Sequence, residues 1–80
     1  IDPTYALALV GLANSYLIMG EYLFLPPQVA FPQARQMALR ALEIDPQLST
    51  AHGILAELSM FADWDLIEAE REYTTALALN

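Results

Sequence analysis

Residues 33–44, QARQMALRALEI, lie over residues 68–79, EAEREYTTALAL, so that Ala34 pairs with Ala69, Ala38 with Tyr73, Ala41 with Ala76, Leu42 with Leu77 and Ile44 with Leu79, at a constant offset of 35. Upstream, residues 8–16, ALVGLANSY, align with residues 51–59, AHGILAELS, pairing Leu9 with His52, Leu12 with Leu55 and Ala13 with Ala56 at an offset of 43. Self-similarity at a spacing of roughly 20–50 residues marks a chain built from like supersecondary units. Such a unit buries its apolar face only by stacking on a neighbour. This repetition constrains the fold more tightly than any single motif, because it asks for a stack of units with two open ends.

Each unit reads as helix. Small or apolar residues recur at helical spacing (Leu9, Leu12, Ala13, Tyr16; Ala34, Ala38, Ala41; Leu55, Ala56; Ala69, Tyr73, Ala76), and no strand-like alternation competes. Four helices are expected, an A and a B helix in each unit. Pro3 and Pro46 stand where a first turn tolerates a missing N–H, and Gly20 stands where a helix can end in the left-handed region. Asp65 with Glu68 three residues on has capping-box spacing and should start the last helix. The alanines at 13, 34, 41, 56, 69 and 76 let helices approach closely, with Leu12, Tyr16, Leu55 and Tyr73 filling between them. The fold class is therefore all-α: stacked antiparallel helical hairpins forming one domain over residues 1–80. The first unit runs over about 4–46, with an insertion near 21–32, and the second over about 47–80.

Composition says what must cover this stack. Hydrophobic residues are 56% of the chain and charged residues 16%, against about 45–50% and about 25% in ordinary soluble domains. A membrane is not the expected cover. The most apolar stretch, residues 5–19, is broken by Gly11, Asn14 and Ser15 and falls short of the about 20 residues a spanning helix needs. Ten carboxylates face three arginines, a net charge of −7, which repels phosphate backbones and anionic lipid headgroups. Nucleic acid and membrane insertion are thus not expected of this segment. Without cysteine there is neither a disulfide nor a thiolate metal site. No initiator Met or basic leader is present, so the chain reads as a segment of a longer protein.

The residues above resemble the tetratricopeptide repeat (TPR) family of helix–turn–helix units. In the first unit its pattern is met by Leu9, Leu12, Ala13, Tyr16, Ala34, Ala41 and Pro46, and in the second by His52, Leu55, Ala56, Ala69, Tyr73 and Ala76. Ala38 stands at the usual aromatic position, Ser59 at the usual tyrosine, and the final proline is absent. The first unit carries about nine residues beyond the family's short turn, in EYLFLPPQVAFP at 21–32. Pro27 suits the first position of the following helix, and Pro32 would leave one carbonyl unpaired, so that helix is expected to kink or begin late. This long proline-bearing turn, with DWD at 63–65, is similar to repeats in bacterial multidomain regulators.

Catalytic and metal chemistry find little to work with. His52 is the single histidine and stands at the large-residue position of its helix, so a packing role is expected. Asp63, Asp65, Glu68, Glu70 and Glu72 lack the glycine turn and spacing of a calcium loop. No nucleophile elbow or phosphate-cradling glycine loop occurs. The expectation is a non-enzyme without metal or cofactor.

What the resemblance implies is a binding scaffold. Its A helices line a concave face, which here would present Leu7, Val10, Asn14 and Leu17 from the first and Thr50, Gly53, Glu57 and Met60 from the second to a peptide or protein partner. Asn14 matches a position where the family often offers asparagine to a peptide backbone, and its amide can donate and accept at once. An acidic carboxylate tail is not expected there, since Arg35, Arg40 and Arg71 all fall on B helices. Two alternatives stand beside this reading. The segment could be a structural spacer or self-assembly element of a longer array, dimerising through uncovered faces. Or Tyr22, Phe24 and Phe31 of the insertion could form a contact patch, although folding back over the first hairpin is the favoured expectation for these side chains.

Overall fold

The computed structural model describes residues 3–80, and among these the order is α1 (Pro3–Glu21), α2 (Pro27–Ile44), α3 (Ser49–Phe61) and α4 (Leu66–Leu79). The inward stripe of α1 is Ala6, Leu9, Ala13 and Leu17, each at most 3% exposed, and the spacing of three or four residues keeps all of them on one face. Against it α2 turns Ala30, Ala34, Ala38 and Ala41, all 0% exposed. With methyl groups meeting methyl groups, the two backbones come close along their whole length, and α1 and α2 form the first hairpin. The pair α3 and α4 repeats the arrangement around Ala56 and Ala69, and α2 packs on α3 to join the hairpins. Leu17, Ile54, Leu55 and Leu58 fill the space where the hairpins meet.

Leu12 and Tyr73 do not fill the core as the repeat alignment suggests; they are 51% and 36% exposed. Leu12 lies about 100° round the helix from Ala13, and once Ala13 is the point of closest approach Leu12 faces outward. Tyr73 is the repeat equivalent of Ala38, but α3 covers the far side of α2 whereas no described element covers the far side of α4.

The helix ends also depart from expectation in three places. Gly20 does not end α1 in the left-handed region; it lies inside the helix and is buried. A Cβ there would come within 2.6 Å of the Phe31 ring and 3.0 Å of the Ala30 Cβ, so the glycine is required by the close approach of α2. Pro46 precedes α3 by three residues and belongs to the turn, which Asp45 shapes by accepting a 3.0 Å hydrogen bond from the Gln47 amide. The long insertion is mostly helix. Glu21 ends α1 and Pro27 opens α2 at its first position, so α2 does not begin late, and it continues through Pro32. The carbonyl four residues before Pro32, which the proline leaves without its helical partner, is that of Gln28, an exposed residue.

Asp65 behaves as its spacing predicts: its side chain caps α4 by accepting a 3.0 Å hydrogen bond from the Glu68 amide. Each hairpin turns through one non-glycine residue in the left-handed region, Leu23 at φ 61° and Trp64 at φ 56°. That conformation costs an L-residue roughly 1–2 kcal/mol, and both side chains are left in solvent.

Candidate functional site

The A-type helices α1 and α3 lie side by side with a depression between them of about 460 Å³. Leu7, Val10 and Asn14 fall on one stripe of α1 at intervals of three and four residues, and Thr50, Gly53 and Glu57 do the same on α3. These six of the eight residues expected on the concave face line the depression together, joined by Gly11 and Ile54. Sequence reading missed the last two, although Ile54 stands four residues from Thr50 and so shares its stripe. In the sequence Gly11 stands out only as a break in an apolar run. A Cβ on Gly11 or Gly53 would meet no atom within 4 Å, so both glycines keep the groove wide and neither serves helix contact.

The other two expected residues lie elsewhere. Leu17 is 2% exposed and belongs to the core, because it continues the Ala6–Leu9–Ala13 stripe that faces α2 and α3. It cannot line a groove. Met60 is half-buried and stands one turn beyond Glu57, outside the depression.

Chemically the groove is apolar at one end and acidic at the other. Asn14 is exposed and its amide makes no hydrogen bond among the described residues, so donor and acceptor are both available to a partner. Glu57 lines the groove, whereas Glu21, the last residue of α1, does not. Burial, the charge of Glu21 and a hydrogen bond between the two carboxyls push the Glu57 pKa up. Tyr73 on α4 is raised too, by burial and then by the fields of Glu57 and Glu21. Each arginine is engaged elsewhere. Arg35 pairs with Asp63, Arg71 with Glu68, and Arg40 donates to the Tyr5 hydroxyl at 2.9 Å, all of them through α2 or α4.

His52 has a structural setting. Its Nδ1 lies 2.7 Å from Oε1 of Glu72 and its Nε2 lies 3.0 Å from the Pro46 carbonyl oxygen. Of the acidic run, Asp63 pairs with Arg35, Asp65 caps α4, Glu68 pairs with Arg71 and Glu72 holds His52. Among the described residues no three His, Asp or Glu side chains converge as a metal site would require, and no helix is long and apolar enough to cross a membrane.

The insertion divides. Tyr22 and Phe24 are 70% and 77% exposed, so they do not fold back over the first hairpin. Phe31, in α2, is half-buried, packs against the core and passes over Gly20. A second depression, of about 490 Å³, opens there between Phe31, Phe61 and Tyr22.

No family model matches the chain, and no match to it was found among the curated proteins or the solved structures.

Proposed function

We propose that this chain is a two-repeat segment of the tetratricopeptide type, a non-catalytic scaffold that binds a peptide or protein partner in the groove between α1 and α3. The observation that carries the reading is the groove itself: six residues that the TPR resemblance puts on the concave face line one open depression, and the Asn14 amide among them is unengaged. An extended peptide offers alternating N–H and C=O groups to such an amide and side chains to Leu7 and Val10. In a longer array, as in the bacterial multidomain regulators that the sequence resembles, each added repeat would lengthen this face.

The test is selection of binders from a random-peptide display library on the full chain, repeated with Leu7→Asp and Asn14→Ala. Binders lost with both variants while helical circular dichroism persists place the site in the groove. Binders kept by both place it elsewhere.

A second reading, a spacer or self-assembly element, is favoured by α4. Leu66, Ile67 and Leu77 are 63%, 84% and 75% exposed, apolar side chains of the kind a neighbouring repeat or a second copy covers. Sedimentation of the isolated chain at tens of micromolar separates the cases, since a strict monomer contradicts self-assembly through this face.

A further inference from the structure

The depression at the end of the molecule where the hairpins turn shares no lining residue with the α1/α3 groove. Three aromatic side chains reach it from three places in the chain: Tyr22 just after α1, Phe31 one turn into α2 and Phe61 at the end of α3, with Leu23 and Pro27 beside them. Phe31 is held in place, because it packs half-buried against the core and its ring lies over Gly20, where no Cβ intervenes. Tyr22 and Phe61 are 70% and 55% exposed, so their rings are open to a ligand. Phe24, although exposed, does not line the depression. Glu21 does, and it is the one charged residue that lines it. The adjoining depression beyond Phe31 and Phe61 holds Arg35 and Asp63, which form an ion pair with each other. Ring faces and a carboxylate both favour a cation. The helix ends do not oppose this, since α1 and α3 bring their negative ends here against the one positive end of α2.

We propose that this depression takes an arginine side chain of a partner protein, its guanidinium lying against the aromatic rings and forked to the Glu21 carboxylate. The site is separate from the groove and does not rest on the reading of the groove as a peptide site. Arginine fits where lysine does not: a guanidinium is planar and weakly hydrated, so it can stack on a ring and still direct two N–H groups at one carboxylate, whereas an ammonium is compact and strongly hydrated. A quaternary ammonium has no N–H to give Glu21. An apolar side chain would leave the carboxylate covered and unpaired, and an acidic one would meet like charge on a chain of net charge −7. Leu23, 72% exposed, and Pro27 offer apolar contact to the residues that flank the arginine.

The experiment follows the ring-proton NMR shifts of Tyr22, Phe31 and Phe61 in the full chain as it is titrated with the pentapeptide acetyl-GLRLG-amide, with versions carrying lysine or citrulline in place of the arginine, and with free arginine. The arginine peptide should shift all three rings and saturate, the citrulline version should bind at least about tenfold more weakly, and the lysine version and free arginine should also bind more weakly. Glu21→Gln, at an exposed position, should close most of the gap between the arginine and citrulline peptides. Phe61→Leu, which keeps an apolar side chain but removes a ring, should weaken the arginine peptide about threefold. Leu7→Asp should change none of this, so the failure of the groove and the failure of the arginine seat are told apart. Equal binding of the arginine and citrulline peptides would overturn the cation, and equal binding of the lysine peptide the guanidinium. Free arginine binding as tightly as the peptide would overturn the protein partner. No saturable shift of the three rings, or a shift abolished by Leu7→Asp, would overturn the site itself.

Discussion

His52 and Glu72 join α3 to α4 through a 2.7 Å contact between Nδ1 and Oε1, while the other ring nitrogen of His52 meets the Pro46 carbonyl oxygen at 3.0 Å. Both partners are acceptors, so the ring satisfies both only when both nitrogens carry protons. Burial alone would lower its pKa, but hydrogen bonds to Glu72 and to Pro46, with the charge of Glu72, outweigh that and raise it above 6.5. A group whose folded pKa is raised contributes stability fully below its unfolded pKa and loses it as pH rises through the folded value. Urea unfolding should therefore show a stabilising contribution that is full below about pH 6.5 and is lost as pH rises through the folded pKa of His52. His52→Gln should flatten that dependence. Because the chain has one histidine, a proton NMR titration reads its pKa directly, and Glu72→Gln should bring that pKa down. A wild-type value below 6.5 would contradict the two-acceptor geometry.

Glu57→Gln should stabilise the chain at neutral pH. The folded pKa of Glu57 is raised by burial and by Glu21, so the folded state binds its proton more readily than the unfolded one, and ionisation at pH 7 works against folding. Removing one charge of a like pair on neighbouring helix surfaces is worth about 0.5 kcal/mol, or about 2–4 °C in Tm for a domain of this size. Near pH 4, where the carboxyl is largely protonated in both states, the advantage should vanish. Thermal melts of the two proteins at both pH values check this. An equal gain at pH 4 would show that repulsion is not its cause.

How much of this was legible in the sequence follows from what repetition can encode. Aligned alanines at 13, 34, 56 and 69 mark where backbones meet, and the structure buries each at 0% exposure. The order of helices and the Asp65 cap are local facts, written in spacing and in one side chain. Leu17 and Leu12 were placed on the wrong faces because a helix with apolar residues nearly all round carries no unique inward stripe; contact with α2 chooses it. The Glu21–Glu57 pair joins residues 36 positions apart on helices that are not sequence neighbours, so no motif spells it. The two-acceptor setting of His52 likewise depends on how the turn at Pro46 and the helix α4 converge.

Gly20→Ala and Gly11→Ala should move stability in opposite directions. Both glycines lie inside α1, and in an exposed helix interior alanine is better than glycine by about 0.8–1.0 kcal/mol. At Gly11 a Cβ meets nothing within 4 Å, so that gain should appear nearly whole. At Gly20 the new methyl would sit 2.6 Å from Phe31 and 3.0 Å from the Ala30 Cβ. The ring can shift, but the alanine is fixed to its backbone, and overpacking of this kind typically costs about 1–3 kcal/mol. The expected outcome is Gly11→Ala more stable and Gly20→Ala less stable than wild type in chemical denaturation.

Phe24→Ala and Leu58→Ala separate surface from core. Phe24 is 77% exposed in the turn between α1 and α2, and truncating a side chain already in water should change stability by no more than about 0.5 kcal/mol. Any loss of partner binding by this variant would then report a contact and not misfolding. Leu58 is the largest side chain that is fully buried, at 0% exposure, in a core otherwise lined heavily with alanine. Such a core has few large groups able to move into a vacancy, so Leu58→Ala should cost about 2–5 kcal/mol in lost transfer energy and cavity. A chain of this length has total stability of only about 4–12 kcal/mol, so the variant should be marginal or unfolded at room temperature. Leu58→Met keeps the volume and should cost less than about 1.5 kcal/mol. Equal losses for the alanine and methionine variants in urea titrations would mean that Leu58 does not hold the two hairpins together.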